Sequence, residues 1–174
     1  MRDKDWERTL GVWALLTLVN GFGEESGWRG YAIPKLQQRF SPLTATLILA
    51  PLWALWHLPY FFVVATYRSF GPQEVAGFVL GLTLGAVVLT WLYNRSGGSI
   101  LIVACWHGTF NLVTATVAAQ GTIAAVVSTL VMLQAAVLVA LELRARRRGL
   151  PSILGPLFGS GGPRAFQLGA RVSF

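Results

Sequence analysis

Apolar residues in this chain come in long blocks rather than in alternation. Four blocks contain no Asp, Glu, Lys or Arg: residues 43–67, 75–93, 100–119 and 123–141. Each is close to the roughly 20 residues that cross a bilayer, and each predicts a transmembrane helix, because lipid leaves a single segment few other ways to satisfy its backbone. A fifth block, residues 10–22, has the length of a buried or re-entrant helix unless Glu24 and Glu25 extend it under protein cover. Between it and the next block, Ile33, Leu36 and Phe40 fall at helical spacing opposite Lys35, Gln38 and Arg39, which predicts an interfacial amphipathic helix. Ser41 and Pro42 form a cap and first-turn pair for the span that follows. Gly77, Gly81 and Gly85 recur at every fourth position and predict a face for close helix packing. The expected fold is all-α, a polytopic transmembrane bundle of about five apolar helices and one interfacial amphipathic helix over residues 1–148. Residues 149–174, rich in Gly and Pro and without sustained periodicity, read as a flexible tail.

Composition supports a membrane protein. Of 174 residues, 54% are hydrophobic and 12% charged, against about 25% charged in soluble domains. The net charge of +7 does not indicate a nucleic-acid partner, because Arg144, Arg146, Arg147, Arg148, Arg164 and Arg171 all follow the last apolar block, as a stop-transfer flank does. Placing that flank in the cytoplasm puts Arg29, Lys35, Arg39 and Arg95 on the same side, ten basic residues against Arg2, Lys4, Arg8 and Arg68. The C-terminal tail is therefore expected to be cytoplasmic. The N-terminal ten residues mix both signs of charge and lead to no small-residue cleavage site, so no removable signal peptide is expected. One cysteine, Cys105, allows neither an intrachain disulfide nor a CxxC metal site.

Ionisable groups at membrane depth cost at least a few kcal/mol, so they mark function more often than packing. Here they are few: Glu24, Glu25 and Arg29, then His57, then His107 with Asn111. Glu25 and Arg29 share a helix face, as do His107 and Asn111. Glu24 is turned about 100° from Glu25, so one carboxylate is expected to pair with Arg29 while the other points at the histidines. Cys105 and His107 point about 200° apart on a helix, which excludes a thiolate–imidazole pair within that segment. A serine hydrolase lacks its GxSxG elbow. Counted along ideal helices from the cytoplasmic ends, His57 lies about 21 Å and His107 about 11 Å deep, a height difference that the fold must close for the two to meet.

Read together, EESGWR, WALWH and HGTFN resemble the CPBP family of intramembrane proteases, which includes the type II CAAX prenyl endopeptidases and bacterial Abi-type proteins. The resemblance covers residues 21–111, roughly half the chain. It rests on Glu24, Glu25 and Arg29, on Trp53 four before His57 where the family usually has phenylalanine, and on His107 four before Asn111. Family members usually carry further transmembrane helices before the first motif, so the chain reads as a minimal or truncated member. The resemblance implies that Glu24 activates a water with help from His57, that His107 and Asn111 steady the oxyanion, and that Glu25, Arg29 and Trp53 support them. A shielded carboxylate suits a general base, and Asn and His N–H groups suit an oxyanion. No cofactor is then required. The same residues permit a zinc protease, with Glu24, His57 and His107 as ligands and an open position for water. The implied substrate is a peptide or lipidated protein, such as a prenylated CAAX-type tail, met in membrane lipid. Two other classes fit the same residues: a non-catalytic membrane binding or immunity protein, and a proton- or ion-coupled transport element.

Overall fold

The computed structural model describes residues 5–116 and 121–156, and every regular element among them is a helix. The first helical region is longer than its apolar block. Helix α1 (Asp5–Leu16) continues through a π-helical turn (Thr17–Phe22) into α2 (Gly23–Gly27), then through a second π-helical turn (Trp28–Ala32) into α3 (Ile33–Gln37). The junction residues Leu16, Phe22, Gly27 and Ala32 all keep right-handed helical dihedrals. The two carboxylates thus extend the short block as one continuous helical segment, and π turns of the kind often found at functional sites bracket them. The expected separate amphipathic helix is instead the end of this segment. Its Ile33 is fully buried in the core rather than facing lipid headgroups.

Helices α4 (Pro42–Trp56), α7 (Pro72–Arg95), α8 (Ile100–Thr114) and α9 (Thr122–Arg147) form the rest of the bundle. Ser41 caps α4 as expected, its Oγ accepting the Thr44 N–H at 3.3 Å. The block predicted as one span over 43–67 breaks at His57, and two short helices, α5 (Tyr60–Val63) and α6 (Ala65–Arg68), follow the break. Three stretches are long and apolar enough to cross a membrane, Pro42–Val63, Pro72–Arg95 and Thr122–Arg147, with α8 a shorter apolar helix. Leu47, Leu55, Leu130, Leu133 and Val137 are all more than half exposed, as side chains facing lipid tails would be. This is an integral membrane helix bundle.

Lipid tails are as apolar as Leu, so helices in a membrane gain little from hydrophobic burial and associate through close packing of small residues. That contact occurs between the first helix and α8. A Cβ on Gly21 would lie 2.5 Å from the Ala104 carbonyl oxygen, and one on Gly108 would lie 2.7 Å from Thr17 Cα. Trp13 Nε1–H donates to Thr109 Oγ1 at 2.9 Å across the same interface. Gly77, Gly81 and Gly85, predicted to pack, do not: a Cβ on any of them meets nothing within 4 Å. They face a cavity instead. Gly108→Ala is therefore expected to destabilise the protein by about 1–3 kcal/mol, while Gly81→Ala loses nothing and gains up to about 1 kcal/mol of helix propensity. Thermal melting in detergent checks the contrast.

The tail expected to be flexible from residue 149 is held at its start. The buried Glu142 carboxylate accepts from Arg146 Nε (2.9 Å), Ser152 Oγ (2.8 Å), Ile153 N–H (2.8 Å) and Leu154 N–H (3.2 Å). Arg95 donates to the Ile153 carbonyl and Asn94 to that of Leu154. Leu154 itself is fully buried among Leu43, Val87, Ala135 and Leu138. Residues 157–174 of the predicted tail lie outside the described residues.

Candidate active site

Three separate segments bring their polar groups to one place. On the first helix, Glu25 and Arg29 are completely buried, and Arg29 Nη1 donates to Glu25 Oε1 at 3.0 Å. The same oxygen accepts from His107 Nδ1 on α8 at 2.7 Å. Glu25 therefore serves both the arginine and a histidine, which corrects the expected division in which one carboxylate takes Arg29 and the other faces the histidines. Glu24, half-buried, is bound elsewhere: its Oε2 accepts the Trp53 indole N–H from α4 at 2.7 Å. Among the described residues no side chain bonds its other oxygen, and neither histidine bonds it directly.

His57 owes its place to the end of α4. There the backbone tightens, the His57 N–H bonding the Ala54 carbonyl at 3.1 Å, and the carbonyl of Trp53 takes the His57 ring nitrogen Nδ1 at 2.7 Å instead. A carbonyl can only accept, so Nδ1 carries a proton and Nε2 is left for a ligand. His107 is arranged alike, with Nδ1 on a carboxylate and Nε2 uncommitted among the described residues.

Trp53 is the hub. Its ring lies 5.6 Å from the His57 ring and 5.8 Å from that of His107, edge-on in both cases. The Arg29 guanidinium sits 4.4 Å from its centroid, within cation–π range. The two histidines, expected at different depths, thus both border one indole. Sequence reading saw Trp53 as a supporting ring; its role as donor to Glu24 carried no signal in the spacing, because the acceptor is on another helix.

A cavity of about 700 Å³ opens beside this cluster, within the roughly 300–1,000 Å³ usual for ligand pockets. Trp53, His57, His107 and Asn111 line it, and Gly77, Gly81 and Gly85 line it together with aromatic and aliphatic side chains and a few hydroxyls. Asn111 is half-buried, one turn beyond His107, and makes no side-chain hydrogen bond among the described residues. Glu24 is outside the lining, joined to it through the Trp53 N–H.

The described side chains do not form a three-ligand metal cluster: no three of the His, Cys, Asp and Glu among them stand close enough to share a metal ion, and Glu24 Oε2 is already engaged by an indole donor.

Comparison with known proteins follows this pattern of residues. The family described as type II CAAX prenyl endopeptidase Rce1-like matches residues 6–113, which include every site residue above. The chain belongs to that family. A curated relative, CAAX prenyl protease 2 of Methanococcus maripaludis, is 34% identical over 102 residues, 56% of this chain. The chain spans 37% of that relative's length. No solved structure matches.

Proposed function

We propose that this member of the family is an intramembrane endopeptidase that hydrolyses a peptide bond in the C-terminal tail of a lipidated protein, using a carboxylate-activated water. The observation that carries the reading is the gathering of Glu24, His57 and His107 around Trp53 at the polar end of a mostly apolar cavity. Glu24 Oε1 takes a proton from water as the hydroxide attacks the scissile carbonyl. The C–N bond then breaks, and the proton passes to the leaving amine. His57, held by Trp53, helps orient the water through Nε2. The Asn111 amide donates to the oxyanion, where a preorganised donor in a dry site is worth about 2.7–4 kcal/mol. His107 Nε2 donates there when its ring is protonated, with Glu25 balancing the charge. These steps are assigned to protein groups alone.

The glycine row supports a lipid-bearing substrate, since three missing side chains leave width for an alkyl chain beside the polar groups. A cytoplasmic placement of the scissile bond is supported by the positive-inside bias, with Arg95 in the last turn of α7 and Arg144, Arg146 and Arg147 in that of α9.

Gly81→Phe tests the substrate reading, because a Cβ at Gly81 meets nothing within 4 Å and the residue lines the cavity. With purified protein in proteoliposomes, the variant is expected to raise KM for a prenylated reporter peptide about 4- to 15-fold, the scale of one or two methylenes displaced at about 0.8 kcal/mol each. Equal effects on prenylated and unprenylated peptides would exclude a lipid chain from the cavity.

A further inference from the structure

Trp53 makes five contacts at the site, and four of them do not need an indole. A phenyl ring at the same place would also pack edge-on against His57 and His107 and lie under Arg29, and the carbonyl that orients His57 belongs to the backbone. The fifth contact, Nε1–H to Glu24 Oε2 at 2.7 Å, has no counterpart in phenylalanine. It is short, as hydrogen bonds to charged acceptors are. The donor is also rigidly placed: Trp53 is 5% exposed, packed from α4 against Arg29 of the first helix and His107 of α8. Glu24, by contrast, is half-exposed, on a helix turn flanked by π-helical turns, with no other side-chain partner among the described residues. A free carboxylate there would sample several rotamers, each fixed geometry costing side-chain entropy.

We infer that the Trp53 indole N–H is a positioning group for Glu24. By holding Oε2 it leaves Oε1 as the single oxygen presented to water, a constraint specific to a chain with tryptophan at this position. The inference rests on the reading of Glu24 as the base. Because the bond sets geometry and touches no substrate, its loss lowers kcat and spares KM.

Trp53→Phe keeps the ring contacts and removes the donor. In proteoliposomes it is expected to lower kcat about 10- to 100-fold, the range for one hydrogen bond to a charged group, with KM within about twofold of the parent. Should the phenyl ring pack poorly, replacing Trp53 by 3-benzothienylalanine, which exchanges the N–H for sulfur at nearly constant shape, gives the same expectation. A kcat unchanged in both substitutions, or a loss confined to KM, overturns the inference while the peptidase reading stands, provided Glu24→Gln is inactive in the same preparation. A second measurement needs no turnover. In ¹⁵N-tryptophan-labelled protein, the indole N–H resonance that disappears in Trp53→Phe is expected to move upfield in Glu24→Ala. If it stays where it is, the bond to Glu24 does not exist and the inference fails whatever the protein cleaves.

Discussion

Glu24→Gln is expected to lower kcat about 10²- to 10⁴-fold, the contribution of a positioned general base, while the melting temperature in detergent stays within a few degrees of the parent. The substitution is mild in shape. A glutamine carbonyl oxygen can still accept the Trp53 indole N–H, so the bond at 2.7 Å survives and only the capacity to take a proton is lost. A kinetic loss without a stability loss is the signature of an interaction made in the transition state. If Glu24→Gln retains near-parental turnover, the base is another group, and the first alternative is His57 Nε2, the uncommitted nitrogen of a ring already fixed by its Nδ1–H.

Arg29→Ala has the opposite character, a large loss of stability. Arg29 and Glu25 are both fully buried, and Glu25 Oε1 is shared between Arg29 and His107. Removing the guanidinium leaves a buried carboxylate facing one imidazole, and breaking a buried pair in this way costs about 3–5 kcal/mol. Arg29→Lys is expected to recover part of the loss, since a lysine restores charge but not the planar contact with the Trp53 ring. Replacing both partners, as in Glu25→Gln with Arg29→Met, is expected to cost less than Arg29→Ala alone, because no unpaired charge remains. Reversible denaturation in mixed micelles measures all three. An Arg29→Ala protein as stable as its parent would contradict the pairing.

The pair Glu25 and Arg29 is legible in the sequence, as is the Ser41 cap, because both depend on neighbours three or four residues away along one helix. The bundle was legible too, since charge-free blocks leave lipid little choice of structure. What failed depended on other segments. Gly77, Gly81 and Gly85 present the same stripe whether a helix or a cavity faces them, and the small residues that do meet a partner, Gly21 and Gly108, stand alone without a repeat. Depth counted along ideal rods separated His57 from His107, yet rise measures height only when helices start in one plane, and both rings border Trp53. Spacing separates the two glutamates but not their partners: it is Glu25 that reaches a histidine and Glu24 that reaches the indole. Glu142 marked the end of an apolar block in sequence, with nothing nearby to announce that residues 152–154 return to it.

The central claim, that a carboxylate at this site cleaves a lipidated peptide tail, is tested most directly by mass spectrometry of a prenylated reporter peptide. The reporter is incubated with purified protein in proteoliposomes, before and after exhaustive chelation and beside Glu24→Gln. The account predicts two product fragments whose masses sum to the reporter plus one water, in equal yield with and without chelator, and a yield lowered at least about 100-fold with Glu24→Gln. An intact reporter with the parent protein, or cleavage by Glu24→Gln at near the parental rate, would contradict it.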